Sequence, residues 1–89
     1  MEFEFDEAKS RANRLKHGLD FVEAQAIWLD DDRVEIPARS EGEDRWLVIG
    51  WVEDRLWSAV TTIRQGRIRI ISVRRSRPEE VAFHEGEGF

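Results

Sequence analysis

The chain has 89 residues and a formal net charge of −5, with no cysteine, two histidines and nine aromatic side chains shared between tryptophan and phenylalanine. That length suits one domain over residues 1–89, and the missing cysteines exclude disulfides, thiolate metal sites and a cysteine nucleophile. An acidic opening and the want of a long apolar run exclude a secretory leader and a membrane span, which points to the cytoplasm.

In chain order, "MEFEF" alternates polar and apolar and predicts a short strand with Phe3 and Phe5 on one face. Asp6 then stands as a helix N-cap, and Phe5, Ala8, Ala12 and Leu15 recur at helical spacing, predicting that these four face inward. Gly18 closes the helix, with Lys16 and His17 in the last turn, where positive charge suits the dipole. Asp20 and Glu23 offer a capping box for a second helix over about Phe21–Leu29, expected to turn Val22, Ala26 and Leu29 inward. The acidic run Asp30–Asp32 stops it.

From there the period is two. Val34, Ile36 and Ala38 alternate in "RVEIPAR", where Pro37 predicts an edge strand. "RWLVIGWV" is apolar on both faces and reads as a central strand. Turns at Glu53-Asp54 and Gln65-Gly66 lead into "RLWSAVTTI" and "RIRIISV", so these three strands form an antiparallel meander. "SRPE" (Ser76–Glu79) offers a capping box with Pro78 in the first turn, and a short helix ends near Gly86 before a frayed "EGEGF". The fold class is α+β, in the order β-α-α-β-β-β-β-α, with an antiparallel sheet packed against helices.

Charge is polarised along this layout. Residues 1–54 hold 7 basic and 15 acidic side chains, a balance of −8. Residues 55–78 hold seven arginines and no acid, and residues 79–89 carry −4. Such asymmetry points to an anionic partner, often nucleic acid. Alternation puts Arg67 and Arg69 on one face of the last strand and Ile68 and Ile70 on the other. Arg74 and Arg75 fall just past its end, before a helix N-terminus near Arg77, where guanidinium forks and free N–H groups together suit a phosphate. The plainer alternative is that these arginines protect an edge or pair with the acidic N-terminal half.

Two further groups carry chemistry. Asn13, Lys16 and His17 sit at a helix C-terminus, and histidine suits proton transfer near neutral pH, although cationic capping alone accounts for the pair. Glu43 and Arg45, two apart at a strand start, share a face; a carboxylate held by a cation can serve as a general base, and more often is a plain surface ion pair. Metal binding is not indicated, since His17 and His84 are far apart and "DDD" lacks calcium-loop spacing. The hydroxyls of Ser58, Thr61, Thr62 and Ser72 have no adjacent base, no glycine-rich phosphate loop is present, and no cofactor is expected.

These groups, in this order, resemble the BrnT toxin family of bacterial type II toxin–antitoxin systems. "FEFDEAKSRANRLKHGLDFVEA" (Phe3–Ala24) is similar to F-x-W/F-D-x-x-K-x-x-x-N-x-x-K-H-G-V/I-x-F-x-x-A. "GEDRWLVIG" (Gly42–Gly50) is similar to G-E-x-R-x-x-x-x-G, and "RIISVRRSRPEE" (Arg69–Glu80) to R-I/L-I-S-A-R-x-A-x-x-x-E. The resemblance implies a RelE-like fold and a small endoribonuclease that inhibits translation by cutting RNA. It also implies a BrnA-type ribbon-helix-helix antitoxin, through which alone the toxin would meet operator DNA. Carried over by position, the functional residues are Lys16, His17, Glu43, Arg45, Arg69 and Arg74. His84 stands where the family has a tyrosine, so it is either a substitute acid or base or a sign of weaker activity. Val73 and Ser76 replace two alanines.

Metal-independent RNA cleavage asks for a base to take the 2′-OH proton, cations to stabilise the phosphorane charge and an acid for the leaving 5′-oxygen. Arg69 and Arg74 are the charge stabilisers in this reading, and Glu43, His17 or His84 the base or acid, unranked. Lys16, Arg45, Arg67 and Arg75 are the substrate-binding candidates. The competing reading is a catalytically weak module of the same fold that binds RNA or antitoxin.

Overall fold

The computed structural model describes residues 1–39 and 41–86. Its elements are β1 (Phe3–Glu4), α1 (Glu7–His17), a 3-10 helix (Glu23–Leu29), β2 (Val34–Ala38), β3 (Arg45–Val52), β4 (Arg55–Arg64), β5 (Arg67–Arg75) and α2 (Pro78–His84). The order is the expected one. They build one five-stranded sheet in the order β1-β5-β4-β3-β2. β3 to β5 are the antiparallel meander that the turns predict and β2 adds antiparallel to β3, but β1 joins the free side of β5 in parallel, with Phe3 opposite Ile68 and Glu4 opposite Arg69. The sheet is therefore mixed. Pro37 does lie on an edge strand, where its missing N–H costs no ladder bond. Gln65 and Gly66, both at positive φ (52° and 77°), make the tight β4–β5 turn.

α1 starts and stops where its caps dictate. The Asp6 carboxylate accepts the Lys9 N–H at 3.0 Å, and Gly18 sits at φ 90° with its N–H on the Arg14 carbonyl at 2.9 Å. Its inward face, however, is Ser10 and Asn13, while Ala8 and Ala12 are exposed and Leu15 is 90% exposed. The predicted apolar stripe points to solvent, and only Phe5, edge-on to Phe21 at 5.8 Å, packs as expected. Backbone satisfaction explains the reversal. β1 covers only Ile68 and Arg69, so the Val73 N–H further along has no partner in that strand; Asn13 Oδ1 accepts it at 3.1 Å. Asn13 Nδ2 also donates to the Leu19 carbonyl at 2.7 Å, and Ser10 Oγ accepts the Phe21 N–H at 2.9 Å. Each of these groups, buried and unpaired, would cost about 1–3 kcal/mol, comparable with burying one aliphatic side chain.

The second helix also departs from expectation. The Asp20–Glu23 capping box forms, with bonds of 2.7 and 3.1 Å. The helix it opens is 3-10 rather than α, so residues three apart share a face and Ala24, Ile27 and Trp28 are buried. Val22 and Leu29 are exposed instead, at 62% and 83%.

Alternation assigns the two sheet faces. Val48, Ala59 and Val73 lie side by side on the inner face with Ile70, under Phe21, Ala24, Ile27 and Trp28. The backbone of the 3-10 helix comes so close that a Cβ on Gly50 would meet the Ile27 carbonyl at 2.9 Å. The opposite face carries Arg45, Leu47, Ile49, Ser58, Val60, Thr62 and Arg64, and α2 covers its Ile49–Ser58 end. α2 begins at Pro78 with Arg77 as N-cap, one residue later than predicted, and it is the Glu80 carboxylate that returns to the Arg77 N–H at 2.9 Å. Gly86, at φ 80°, lies just past its end as expected, and the last three residues of "EGEGF" lie outside the described residues.

Candidate nucleic-acid interface

Antiparallel register turns the arginines of three strands into a row. Arg45 on β3 lies beside Thr62 on β4, and Thr62 lies opposite Arg69 on β5; one step along, Arg64 lies opposite Arg67. The predicted sharing of a face by Arg67 and Arg69 holds. Strict alternation would have sent Arg74, five residues on, to the inner side. A bulge intervenes: Thr61 pairs with Ile70 and Val60 with Ser72, leaving Ile71 over. That extra residue returns Val73 to the core and brings Arg74, opposite Ser58, to the same face as Arg69. β5 runs on to Arg75, so Arg74 and Arg75 are strand residues rather than part of a helix N-terminal loop.

The carboxylates missing from residues 55–78 arrive from elsewhere in the chain. Glu4 meets Arg69 at 2.8 Å, Glu2 meets Arg67 at 3.3 Å and Glu43 meets Arg64 at 3.6 Å. Glu4 and Arg69 are about three-quarters buried, whereas the Glu2 and Glu43 pairs are solvated and worth about 0–1 kcal/mol each. The row is thus internally paired in part, as the plainer alternative in the sequence allowed. Arg45 differs. Its Nε is buried and has no hydrogen-bond partner among the described residues. A buried donor left unmet costs free energy, and the positive charge it belongs to lies on the same face as Arg69.

At the covered end, Glu80 takes a forked bond from Arg74, at 2.6 and 2.8 Å, and further bonds from Ser58 Oγ at 3.0 Å and the Arg77 N–H. Burial pushes the Glu80 carboxyl up, but these donors and the positive charge of Arg74 outweigh it and hold it down to about 2. At the other end of α2, His84 Nε2 lies 2.8 Å from Asp30 Oδ2, and both side chains are buried. Burial raises the Asp30 carboxyl, while His84 and the N–H groups of Trp51 and Asp32 bring it below its ordinary value.

The structure therefore gathers Glu43, Arg45, Arg67, Arg69 and Arg74 on one side of the sheet. Lys16 and His17 end α1, which packs on the other layer, one turn beyond Asn13 at the β5 edge. Arg75 belongs to that other face too, with its guanidinium 5.9 Å from the centre of the Trp57 ring. His84 is committed to Asp30, with Trp51 edge-on to its ring at 6.0 Å. Sequence reasoning missed Glu2, Glu4, Glu80 and Asp30. The alternation of "MEFEF" does put both glutamates opposite the phenylalanines, but nothing local says that this strand lies beside β5. Among the described residues no three or more histidine, aspartate or glutamate side chains converge as metal ligands.

A face of paired and unpaired arginines edged by carboxylates can bind a phosphodiester, stabilise charge on it and accept a proton. No helix among the described residues is long and apolar enough to cross a membrane. No curated protein matches the chain. The profile of one family, described as "Ribonuclease toxin, BrnT, of type II toxin-antitoxin system", matches residues 5–80. That span takes in α1, the whole sheet from β2 to β5 and the glutamate that holds Arg74, and the chain belongs to the BrnT family of ribonuclease toxins.

Proposed function

We propose that residues 1–89 act as one RelE-like unit, a metal-independent endoribonuclease of the cytoplasm that inhibits translation, and that its RNA site is the arginine face of the sheet. The observation that carries this reading is the convergence of Arg45, Arg69 and Arg74, from two strands, on one side of the sheet. Arg45 and Arg67 hold RNA phosphates. Arg69 and Arg74 supply positive charge to the phosphorane, a task arginine performs because it keeps its proton. Glu43, beside Arg64 on the rim, takes the 2′-OH proton; the 2′-oxygen bonds to phosphorus, the bond to the 5′-oxygen breaks, and water protonates that oxygen, leaving a 2′,3′-cyclic phosphate. Lys16, His17 and Arg75 stand outside this group because their elements present them to the other layer, and His84 because Asp30 holds it. The antitoxin that the family implies is, in this reading, of the BrnA ribbon-helix-helix type, and it alone brings the toxin to operator DNA.

The test is to incubate antitoxin-free protein with total RNA in excess chelator, alongside Arg69→Ala. Cleavage by the wild type, slowed at least about tenfold in the variant, is the expected result. RNA left intact by both proteins, with ribosomes added as well as without, would make the chain a binding module that has lost its chemistry.

A further inference from the structure

Arg74 reaches the arginine face only through the bulge at Ile71, and a guanidinium on a flexible stem has many rotamers to lose. Here a single carboxylate selects one. Glu80 accepts Nη1 at 2.6 Å and Nη2 at 2.8 Å, a fork that fixes the guanidinium plane. Glu80 is in turn fixed by Ser58 Oγ at 3.0 Å and by the Arg77 N–H at 2.9 Å, and Ser58 Oγ lies 2.8 Å from Ser76 Oγ. The Arg74 side chain stays one-quarter exposed while that of Glu80 is 9% exposed, so the arginine faces outward and the carboxylate behind it does not.

Resting on the reading of this face as the RNA site, we propose that Glu80 is a positioning residue: it aims the Arg74 guanidinium so that the N–H groups it does not use meet the scissile phosphate. Glu80 is not the proton acceptor. All four of its hydrogen bonds come from groups that remain in place, and a carboxylate held near 2 is a poor base at neutral pH. Nor is the fork a device for stability alone. A forked guanidinium on the same face as Arg69 has two to three donors left over, and a quarter of its side chain remains exposed.

The experiment measures single-turnover cleavage of an end-labelled, mixed-sequence single-stranded RNA by the wild type, Arg74→Ala, Glu80→Gln, Glu80→Asp and the Arg74→Ala/Glu80→Gln double variant. Glu80→Gln should cleave about tenfold more slowly at saturation with half-saturation shifted less than about twofold, and Glu80→Asp should recover part of the rate. The double variant should be no slower than Arg74→Ala. Ser58→Ala, which removes one bond behind Glu80, should lose rate in the same sense by a few fold, and it decides the matter if Glu80→Gln does not stay folded. Losses that multiply in the double variant, or full-rate Glu80→Gln beside a slow Arg74→Ala, overturn the positioning role while leaving the RNA site intact. Full-rate Arg74→Ala overturns the placing of Arg74 in that site, and the proposal with it.

Discussion

Glu4 and Arg45 mark the two states an arginine can have on this face. Arg69 is answered by Glu4 at 2.8 Å, whereas the Nε of Arg45 has no partner among the described residues. RNA arriving at Arg69 must therefore compete with a carboxylate. Glu4→Gln removes that competitor and one negative charge. It should tighten binding of single-stranded RNA by about 1 kcal/mol, roughly fivefold, with the larger gain at low salt. Fluorescence anisotropy across a salt series measures it. Weaker binding by Glu4→Gln would show that the carboxylate orients Arg69 more than it opposes the phosphate, since the two effects have opposite signs.

The elements differ in how openly the sequence declares them. The strands were legible because "RVEIPAR" and "RIRIISV" alternate, "RWLVIGWV" is apolar on both faces and Glu53-Asp54 and Gln65-Gly66 mark the turns, and Pro37 named its own edge strand. α1 hid its inward face because Ser10 and Asn13 are there to satisfy backbone groups of Phe21, Leu19 and Val73, up to 60 residues away. The bulge at Ile71 has no glycine or other marker, so the common face of Arg69 and Arg74 could not be read from spacing; spacing alone argued the reverse. Of the site, the pairing of Arg67 with Arg69 followed from alternation, while Glu2, Glu4 and Glu80 needed the chain to be folded. Gly50 is a further case of a role visible only in three dimensions. Its φ is ordinary, yet an added Cβ would lie 2.9 Å from the Ile27 carbonyl and 3.0 Å from Ile27 Cγ2. Gly50→Ala must push the 3-10 helix off β3, which should cost about 1–3 kcal/mol and lower Tm by roughly 5–15 °C in a domain of this size. An unchanged Tm would mean that the 3-10 helix shifts freely, and that its contact with the sheet is looser than Ile27 and Trp28 suggest.

For the whole molecule, the polarised charge becomes a set of long-range ties. Arg64, Arg67, Arg69 and Arg74 find their carboxylates at β1 and the residue before it, in the segment before β3 and in α2, so the positive stretch is held from both ends of the chain. The Glu2 and Glu43 ties are solvated and weak, and the Glu4–Arg69 tie is about three-quarters buried. Glu80 is the most buried of these carboxylates, set against Arg74, and its carboxyl is held to about 2 against an ordinary 4.5. A carboxyl depressed on folding adds stability that is complete above its unfolded value, and the gain disappears as pH falls through the window from 4.5 towards 2. Asp30, lowered beside His84, adds in the same direction over an overlapping range. The Glu80 contribution is at most about 3 kcal/mol at neutral pH, a large share of what an 89-residue chain has to spare. Urea unfolding of the wild type and of Glu80→Gln isolates it. At pH 7 the wild type should be the more stable, and the gap should narrow steadily between about pH 5 and pH 2 until the glutamine variant has lost its disadvantage. A gap that stays constant across that range would mean that the penalty of the variant comes from packing, and that proton linkage at Glu80 plays no part in the acid unfolding of this protein.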